Sequence, residues 1–372
     1  MQKKWTCLGL MSGTSGDGVD ASIINTNGLN DYESIKDEYF EYSSVIYEDI
    51  HNLKEKIHQI KHLQTFKDEL NSLERKLTIF HAEIIKRLNI SNDTLIGFHG
   101  QTIYHNAKEK ISKQLGNGKL LNQLTNKNII FNFRKNDILN GGQGAPLTPI
   151  FHHLLTRKNK IELPVCFLNI GGISNVTIVS DKDNLSELIS RDIGPGNCLI
   201  DTWIRNNSNK KFDKDGSYAL SGTKNEVILE QAQELYANRN NKNKLSFDTN
   251  DFDISFVRGL SLEDGAATLT DFTANIIGEE ISSCLINSKK KIRSVLLCGG
   301  GRKNKVLIKK IKENLPTKIT FKSIDDYNIN GDFIESQAFA FLATRSVLGL
   351  PISFPNTTGC KKPCPGGELI KN

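Results

Sequence analysis

The sequence predicts a mixed α/β fold of two lobes. An apolar strand near the start runs into a Gly/Ser-rich turn, a second strand leaves that turn, and the same unit recurs from Val165 onward. Apolar residues between and after the two units recur at helical spacing. At 372 residues the chain is long enough for two domains with separate cores. We therefore expect an N-terminal lobe of residues 1–148, which the tail 351–372 could complete, and a C-terminal lobe of residues 149–350.

The N-terminal half begins with a hairpin whose tip is polar and rich in glycine. In chain order we expect strands at Trp5–Met11 and Val19–Ile24, helices between Ile50 and Leu88, strands at Leu95–Phe98 and Ile129–Phe133, and a helix at Pro149–Leu155. The strand at Leu95–Phe98 is expected to end at the polar run His99–Thr102. A glycine-rich loop, Gly141–Pro146, follows the next strand and marks a plausible lobe boundary.

The C-terminal half repeats this order. We expect strands at Val165–Ile170 and Val176–Val179, a long helix at Thr268–Ile286, a strand at Ser294–Cys298, a final helix at Glu335–Leu348 and a Pro/Gly-rich tail. A hairpin with a phosphate-friendly tip at the head of each half suggests duplicated lobes that face a cleft. This organisation points toward the architecture of actin and the sugar kinases.

Composition excludes several classes of protein. With 38% hydrophobic and 24% charged residues the chain is a soluble globular protein, and no apolar run approaches the roughly 20 residues of a membrane helix. Thr6 and Gly9 interrupt the apolar start, so no secretory signal is expected. Five of the seven cysteines stand singly in apolar stretches, where a thiol acts as a small hydrophobe. We expect a cytoplasmic protein without a membrane partner.

Two further features are expected to carry no site. The net charge of +6 comes from scattered lysines rather than from a basic stripe with aromatic residues, so no nucleic-acid partner is expected. Cys360 and Cys364 are the only cysteines close in sequence. A metal site would need further ligands, which the neighbouring sequence does not offer, and zinc is therefore not expected there.

The first glycine-rich turn is the first candidate for nucleotide binding. Its glycines allow close backbone approach, and its amides and hydroxyls can cradle phosphate oxygens. The segment is neither a Walker loop nor a Rossmann fingerprint. The alternative is a tight hairpin in which Asp17 and Asp20 are ordinary turn residues. The candidate residues are Gly9, Ser12, Gly13, Thr14, Ser15, Gly16, Asp17, Gly18, Val19 and Asp20.

Two later loops offer similar groups. Asn169–Asn175 supplies a second set of backbone amides and carboxamides, and Cys298–Gly301 supplies a third flexible backbone after a strand. Asn169, Gly171 and Gly172 are the candidates in the second loop, and Gly299, Gly300 and Gly301 are those in the third. Three such loops on one chain suit a triphosphate and its adenosine.

Polar residues elsewhere suit catalysis and sugar binding. Asp192 precedes the turn Gly194-Pro195-Gly196, a rigid position from which a carboxylate can act as a general base, although a turn aspartate alone is the commoner case. Other side chains on loops after strands can hold sugar hydroxyls and acidic groups. These are His99, Gln101, Thr102, Arg134, Asp137 and Gln143. A lone histidine such as His99 is more often structural.

These motifs together resemble the anhydro-N-acetylmuramic acid kinases. The family's opening, Gly-Leu-Met-Ser-Gly-Thr-Ser-x-Asp-Gly-x-Asp, matches residues 9–20. The likeness covers nearly the whole chain in family order. It continues through His99–Thr102, Phe133-Arg134, Gly141–Leu147, Asn169–Asn175, Gly194–Asn197, Asp201–Trp203 and Cys298–Gly301.

The resemblance implies a two-lobed actin/hexokinase/Hsp70-type fold, a duplicated ribonuclease H-like plan with the nucleotide cleft between the lobes. It also implies one coupled reaction of peptidoglycan recycling. Water opens the ring of 1,6-anhydro-N-acetylmuramic acid while O6 takes the γ-phosphate of ATP, giving N-acetylmuramic acid 6-phosphate and ADP. Mg²⁺ would bridge the phosphates, with no metal ligand assigned on the protein, and the family's usual state is a homodimer.

Residue roles follow from the resemblance by position. Gly13 to Asp20 would hold the ATP phosphates, Asn169 with Gly171 and Gly172 would form the second phosphate loop, and Gly299 to Gly301 would lie near the adenosine. Asp192 corresponds to the base that deprotonates the attacking water. Glu335 and Arg134 would lie at the sugar.

Three departures from the family pattern affect this assignment. Gly16 stands where leucine is usual, and Ile193 replaces the usual threonine after the catalytic aspartate. The segment Lys244–Phe252 replaces a common Lys-Ser-Thr-Gly-Arg-Glu, which weakens any assignment in that loop. Because Ile193 lacks a hydroxyl that could orient Asp192 or bind substrate, we expect rate or affinity to differ from a typical member.

Other functions fit part of the pattern. A kinase of the same fold could act on another sugar or small acid, because the nucleotide loops do not fix the acceptor. A noncatalytic ATP-binding protein would not need Asp17, Asp20 and Asp192 together. A plain hydrolase would leave the three glycine loops without a purpose.

Overall fold

A computed structural model describes residues 3–238, 245–288 and 290–372, with the backbone alone for Asn250 and Asn287. Its strands are β1 (Trp5–Ser12), β2 (Gly18–Thr26), β3 (Tyr32–Glu41), β4 (Leu95–Asn106), β5 (Ile111–Leu115), β6 (Ile129–Phe131), β7 (Val165–Ile170), β8 (Ile173–Val179), β9 (Ile189–Pro195), β10 (Ser294–Cys298), β11 (Thr320–Ser323) and β12 (Glu368–Ile370). Its helices are α1 (Ser44–Lys56), α2 (Ile60–Thr65), α3 (Lys67–Leu88), α4 (Gly118–Thr125), α5 (Lys135–Leu139), α6 (Pro149–Lys158), α7 (Cys198–Asn207), α8 (Ser217–Ser221), α9 (Glu226–Ala237), α10 (Leu262–Asn287), α11 (Lys305–Glu313), α12 (Ile334–Val347) and α13 (Pro355–Thr358).

The chain divides into two compact units. The first unit holds Met1–Ile161, Lys182–Ile189 and Phe333–Asn372, and the second holds Glu162–Asp181 and Ser190–Asp332. The tail and α12 are thus part of the first unit. The predicted lobes, 1–148 and 149–350, assign residues 149–161, 182–189 and 333–350 differently, and as lobe limits they stay a prediction.

Each unit contains one mixed sheet, and the two sheets follow the same plan. In the first the strand order is β12-β6-β4-β1-β2-β3, with β5 paired to β4, and in the second it is β11-β10-β7-β8-β9. The first strand of each unit, β1 or β7, pairs antiparallel with its hairpin partner and parallel with a later strand, β4 or β10. The predicted mixed α/β class is confirmed, and the repeated strand order is the duplicated plan that the resemblance implied.

Sequence patterns explain the helices that cover the first sheet. In α3 the buried residues Leu70, Leu73, Leu77 and Ile84 recur every three to four residues or at a multiple, which places them on one face. Asp68 and Glu69 in the first turn and Lys86 and Arg87 in the last complement the helix dipole, and α3 ends at Asn89 in the left-handed conformation. Within the described part of the chain, no helix is both long and apolar enough to span a bilayer.

Helix α12 packs directly on the first sheet against β1, β2 and β4. A Cβ atom added at Gly9 would lie 1.9 Å from the backbone oxygen of Ser336, and one at Gly97 would lie 2.4 Å from that of Phe339. Helix and strands can approach this closely only because both positions lack a side chain. Gly9, predicted as part of a phosphate cradle, therefore has a packing role.

The cysteines are free thiols. Cys7, Cys166, Cys284 and Cys298 are buried as the sequence indicated, whereas Cys198 is half-buried. Burial raises the pKa of Cys7 to about 12, which keeps this thiol protonated and hydrophobic in character.

Candidate active site

The first glycine turn joins β1 to β2 and is closed by local hydrogen bonds. The backbone N–H of Gly16 donates to the carbonyl of Gly13 over 3.2 Å, and the Ser15 hydroxyl donates to the Asp17 carboxylate over 2.6 Å. The backbone of Tyr42 donates to the Asp17 carbonyl over 2.9 Å. Thr14 and Ser15 are exposed at the tip. Asp20 lies on β2, paired with Met11 on β1.

The glycines of this turn differ in what surrounds them. Gly16 has a φ of +66°, and an added Cβ would lie 2.9 Å from Ile50; at Gly18 it would lie 2.5 Å from the Phe40 carbonyl oxygen. At Gly13 the nearest atom would be the Ser15 hydroxyl oxygen at 3.7 Å, an ordinary contact. Packing or conformation thus requires Gly9, Gly16 and Gly18, and Gly13 alone keeps open space where a ligand can approach the backbone.

His99, Gln101 and Thr102 lie inside β4 rather than on a loop after it, which corrects the sequence prediction. The strand continues to Asn106 because β1 and β5 supply ladder partners on its two sides. A shift in the β1/β4 register between Leu10 and Met11 pairs Ser12 with Gln101. Gln101 Nε2 consequently donates to the Gly13 carbonyl over 3.0 Å. Gln101 Oε1 is buried and has no hydrogen-bond partner among the residues described.

His99 holds Arg134 in place. Arg134 donates to His99 Nε2 from Nε over 3.2 Å and from Nη2 over 2.9 Å, and from Nη1 to the Gly144 carbonyl over 2.8 Å. Because Nε2 accepts, the ring proton is on Nδ1, which donates to the Gly100 carbonyl over 2.7 Å. Burial, with the neighbouring Arg134 charge, lowers the pKa of His99 well below its usual value. A neutral His99 therefore positions the guanidinium and the loop that carries Gln143.

The remaining first-unit candidates occupy separate positions. The Thr102 hydroxyl accepts from Gln114 Nε2 over 3.2 Å, and the backbone of Gln143 donates to the Thr358 carbonyl over 2.8 Å. Glu335 lies in the first turn of α12, where a carboxylate is favourable to the helix dipole. Gln101 is thus brought into contact with the glycine turn, and Arg134 with the loop next to Gln143.

The second glycine turn, between β7 and β8, is held by backbone groups. The carbonyl of Gly172 accepts from the N–H groups of Gly196 and Cys198 over 2.9 and 3.1 Å, and that of Gly171 accepts from Asn197 over 2.8 Å. At Gly171 the nearest atom to an added Cβ would be the Ile173 oxygen at 3.5 Å, so this backbone is open. An added Cβ at Gly196 would lie 2.2 Å from the Gly171 oxygen.

The third glycine loop packs beside the second. Cys298 on β10 pairs with Asn169 on β7, and added Cβ atoms would lie 2.5 Å from Asn169 Oδ1 at Gly299 and 2.2 Å from Ile170 at Gly301. At Gly300 nothing lies within 4 Å. The second unit therefore brings together Asn169, Gly171 and Gly172 with Gly299–Gly301; that they form two parts of one nucleotide site stays a prediction.

An arginine that the sequence reasoning missed holds the third loop. Arg302 donates to both oxygens of Asp325 over 2.7 and 3.0 Å, to Asp332 over 2.6 Å and to the Gly299 carbonyl over 3.0 Å. Burial raises the pKa of Asp325, but hydrogen bonds from Arg302 and Ser323 outweigh it and leave that pKa below its usual value. The position of Arg302 directly after the glycines was the only sequence signal available.

Asp192 lies within strand β9, which also contains Gly194 and Pro195, so the sequence prediction of a Gly-Pro-Gly turn beside it is wrong for these two residues. The residue is 8% exposed, and its Oδ2 accepts the backbone N–H of Phe247 over 2.8 Å while its own N–H donates to the Leu245 carbonyl over 2.9 Å. The divergent segment thus supplies backbone groups that orient the carboxylate. A backbone N–H donor cannot be predicted from residue type, so there was no signal for it in the sequence. Lys244 of that segment lies outside the described residues.

Ile193, the residue that replaces threonine, is 2% exposed and belongs to the hydrophobic core of the second unit. Successive side chains of a strand point to opposite faces, so Asp192 and Ile193 leave β9 on different sides. The expectation that Ile193 removes a hydroxyl from the site finds no support in this geometry.

Each unit by itself has features that suit phosphate binding, and the second also has a carboxylate that suits general base catalysis. Gly13, Gly171 and Gly300 leave backbone open on three turns, and the hydroxyls of Thr14 and Ser15 are exposed beside the first. Asp192 is a buried carboxylate fixed by a backbone donor, which is the arrangement a base needs to take a proton in one direction.

The chain is similar to several known proteins. A family model described as anhydro-N-acetylmuramic acid kinase matches residues 5–371. An anhydro-N-acetylmuramic acid kinase of Pelagibacter ubique (strain HTCC1062) is 56% identical over 376 residues, with 100% of both chains covered. One from Agrobacterium fabrum is 35% identical over 376 residues, with 98% of each covered. The solved activator of the 2-hydroxyisocaproyl-CoA dehydratase from Clostridium difficile, with bound ADPNP, aligns with a TM-score of 0.43 at 11% identity, covering 92% of this chain and 96% of that one.

Proposed function

The chain belongs to the anhydro-N-acetylmuramic acid kinase family, and from this premise we propose that it uses ATP and water to convert 1,6-anhydro-N-acetylmuramic acid into N-acetylmuramic acid 6-phosphate and ADP. Such a reaction returns a cell-wall sugar to metabolism. The observation that carries the proposal on this chain is the buried Asp192 carboxylate, held by the Phe247 N–H in the unit that also contains two open glycine loops.

ATP would be held by the glycine turns. In the first unit, residues Gly13 to Asp20 would contact phosphates, and in the second, Asn169, Gly171 and Gly172 would do so, with Gly299–Gly301 near the adenosine. The open backbone at Gly13, Gly171 and Gly300 supports this assignment, because a phosphate oxygen can reach amides there without meeting a side chain. Bound Mg²⁺ would supply neutralising charge at the phosphates.

Asp192 would act as the general base. It would take a proton from water, whose oxygen attacks the anomeric carbon; the bond from that carbon to O6 breaks, and O6 accepts the γ-phosphoryl group of ATP. The Phe247 N–H holds Oδ2 and thereby fixes the plane of the carboxylate. No covalent intermediate on the protein is needed, since one carboxylate and one nucleotide provide both halves of the reaction.

The sugar would be bound by first-unit residues. Gln101 Oε1 is buried without a described partner and can accept a hydrogen bond from a hydroxyl or amide of the substrate. Arg134, whose Nε and Nη2 are held by His99, is a cation suited to the sugar's lactyl carboxylate. Thr102, Gln143 and Glu335 are proposed as further contacts. We propose that His99 acts through Arg134, since both of its ring nitrogens bond within the protein.

The decisive experiment follows oxygen from water. Purified full-length protein with Mg-ATP and 1,6-anhydro-N-acetylmuramic acid in ¹⁸O-water is expected to give a sugar phosphate that carries one heavy oxygen at the anomeric position, detected by mass spectrometry. Asp192→Asn should lower the rate by about 10²–10⁴-fold, because the carboxamide cannot take the proton.

Asp213→Asn is the matched control. Asp213 is 5% exposed, lies in the same unit and likewise accepts backbone N–H groups, from Tyr218 and Ala219, so its replacement is expected to cost stability and leave the labelled product. Labelled sugar without phosphate would indicate a hydrolase. Turnover of ATP with a different acceptor would indicate another kinase, and nucleotide binding without product would indicate a noncatalytic protein.

We further infer a cytoplasmic location, dependence on Mg²⁺ and a homodimer, as expected from the family resemblance. Sedimentation of the purified chain and activity in the presence of a chelator would test the last two.

A further inference from the structure

Three side chains of types that can ligate a metal meet in the first unit, beside the loop that carries Gln143 and Gly144. They are Asp137 on α5 and Cys360 and Cys364 in the tail, and their ligand atoms all lie within 4.8 Å of one another. Their exposures are 1%, 2% and 3%. The sequence predicted no metal site at the cysteine pair because its neighbours offered no third ligand. The fold supplies that ligand from a distant part of the chain.

Backbone hydrogen bonds hold the tail against the loop after α5. The N–H of Gln143 donates to the Thr358 carbonyl over 2.8 Å, and that of Lys361 donates to the Asn140 carbonyl over 3.1 Å. Cys364 forms a β-bridge with Ser353. The two sulfur atoms and the carboxylate are therefore presented by ordered backbone on both sides, as a binding site requires.

The Asp137 carboxylate is oriented by donors and lacks a countercharge. Thr358 Oγ1 donates to Oδ1 over 2.6 Å, and the Gly144 N–H donates to Oδ2 over 2.7 Å. Each oxygen keeps a lone pair, and such outer bonds are typical around carboxylates that ligate metals. None of the ion pairs among the described residues involves Asp137. A buried carboxylate without a cation is costly, and a bound dication removes that cost.

We propose that Asp137, Cys360 and Cys364 bind one divalent ion of the zinc class, with water as the fourth ligand. Two thiolates favour a soft or borderline ion over Mg²⁺ or Ca²⁺, and a carboxylate oxygen is among the ligands that Zn²⁺ accepts. Burial raises the pKa of both thiols, that of Cys360 to about 11. The ion therefore displaces one proton from each thiol to solvent on binding.

The consequence is a clamp between the tail and the loop that carries Gln143 and Gly144. The Gly144 carbonyl accepts a hydrogen bond from Arg134, and the Gly144 N–H donates one to Asp137. This one residue therefore connects the proposed metal ligand to the proposed sugar site. Bound metal is expected to stabilise the first unit and to leave the chemistry of Asp192 unchanged.

The test uses the full-length chain, purified under reducing conditions and stripped of metal. Titration with Zn²⁺ is expected to give one tightly bound ion per chain by elemental analysis, and an increase in the melting temperature of about 5 °C when zinc exceeds its dissociation constant about 100-fold. Co²⁺ in place of Zn²⁺ should produce thiolate-to-metal charge-transfer absorption. The double variant Cys360→Ser, Cys364→Ser should lose that absorption and bind zinc at least 100-fold more weakly.

Two further variants keep the outcome clear if the double variant folds poorly. Asp137→Asn keeps both thiols and should bind zinc about 10-fold to 100-fold more weakly than the unaltered chain. Cys198→Ser with Cys284→Ser removes two thiols from the second unit and should bind zinc as the unaltered chain does. Absence of bound zinc, unchanged binding in the Cys360/Cys364 variant, or a Cys360–Cys364 disulfide in the reduced protein would each overturn the proposal.

Discussion

The two units share a strand order but hold their first glycine turns in different ways. In the first unit the turn is tied down by side chains: Gln101 donates to the Gly13 carbonyl and Lys54 to the Thr14 carbonyl, over 3.0 and 2.6 Å. In the second unit the carbonyls of Gly171 and Gly172 are tied by the backbone N–H groups of residues 196–198. The same strand order thus contains one turn that side chains help to hold in addition to backbone bonds, and another whose glycine carbonyls are held by backbone N–H groups.

The interiors of the units also differ in their titratable groups. All eight histidines of the sequence lie in the first unit, and His81, His99 and His152 are at most 5% exposed. Burial lowers the pKa of His81 to about 4 and that of His152 to about 3, and it lowers that of His99 as well. In the second unit, Arg302 instead forms ion pairs with Asp325 and Asp332. The pKa values of these two aspartates lie below the usual value, because hydrogen bonds from Arg302 outweigh the effect of burial.

Acid is therefore expected to destabilise the first unit before the second, and this is the largest effect that we predict. Each of these histidines stays neutral in the folded protein, whereas in the unfolded chain it takes up a proton once the pH falls below about 6.5. Its contribution to the free energy of unfolding is therefore fully present above about pH 6.5 and decreases as the pH falls from that value to the lowered pKa of the folded state. The free energy of unfolding falls by about 1.4 kcal/mol per pH unit for each histidine, or by about 4 kcal/mol per pH unit for the three together. The paired aspartates lose their contribution only in the acid range below the ordinary aspartate pKa of about 3.9.

The two tryptophans allow the units to be followed separately. Trp5 lies on β1 and Trp203 on α7, so Trp203→Phe leaves a probe of the first unit and Trp5→Phe a probe of the second. Between pH 7 and pH 5, the urea midpoint of unfolding should fall steeply when it is followed by the fluorescence of Trp5, and less when it is followed by that of Trp203. His81→Asn keeps a donor near the Leu77 carbonyl without a titrating ring and should reduce the slope by about a third. Equal slopes at both probes would contradict the comparison.

Replacing Gly196 by alanine is expected to break the backbone-held turn. The new Cβ would lie 2.2 Å from the Gly171 oxygen, and no side-chain rotation can relieve a contact with backbone. We expect a loss of about 3 kcal/mol in the free energy of unfolding, measured with the Trp203 probe. Gly300→Ala, in the neighbouring loop with nothing within 4 Å of its added Cβ, should change stability by less than about 0.5 kcal/mol. Similar losses in both variants would mean that packing against Gly171 is not what fixes the turn.

The sequence could predict the strands around the glycine turns because short apolar runs end there. Strands β7 and β10 have the predicted bounds, and α12 begins one residue before the predicted Glu335. Strand β4 runs well past its predicted end at Phe98. The run His99–Thr102 contains no apolar side chain and so interrupts the apolar pattern, whereas pairing with β1 and β5 continues the strand. The spacing of apolar residues cannot predict the part of a strand that is held by hydrogen bonds to neighbouring strands.

Parts of the candidate site lay beyond sequence reasoning for a related reason. Asp192 could be selected from its motif, but the Phe247 N–H that orients it belongs to a divergent segment and is a donor that every residue type except proline offers. The Arg302 cluster and the meeting of Asp137 with Cys360 depend on long-range contacts. Residue types indicate which side chains could bind or catalyse, whereas only the folded structure shows which of them lie close together.

Gln101→Ala removes one of the two side-chain ties of the first turn, and its effect on stability should be smaller than that of Gly196→Ala. Gly13 keeps its bond from the Gly16 N–H, so the loss should be about 1 kcal/mol, but kcat/KM should fall about 10-fold to 100-fold because the turn and the proposed sugar contact are both weakened. Gln337→Ala is the matched control: Gln337 is also buried in the first unit with an unpartnered Oε1 among the described residues, and it donates to Asp37 instead of the turn. It should lose more stability, since its acceptor is charged, and keep its activity. Equal activity in the two variants would show that Gln101 only packs, and the first turn would then depend on Lys54 and its backbone bonds and not on Gln101.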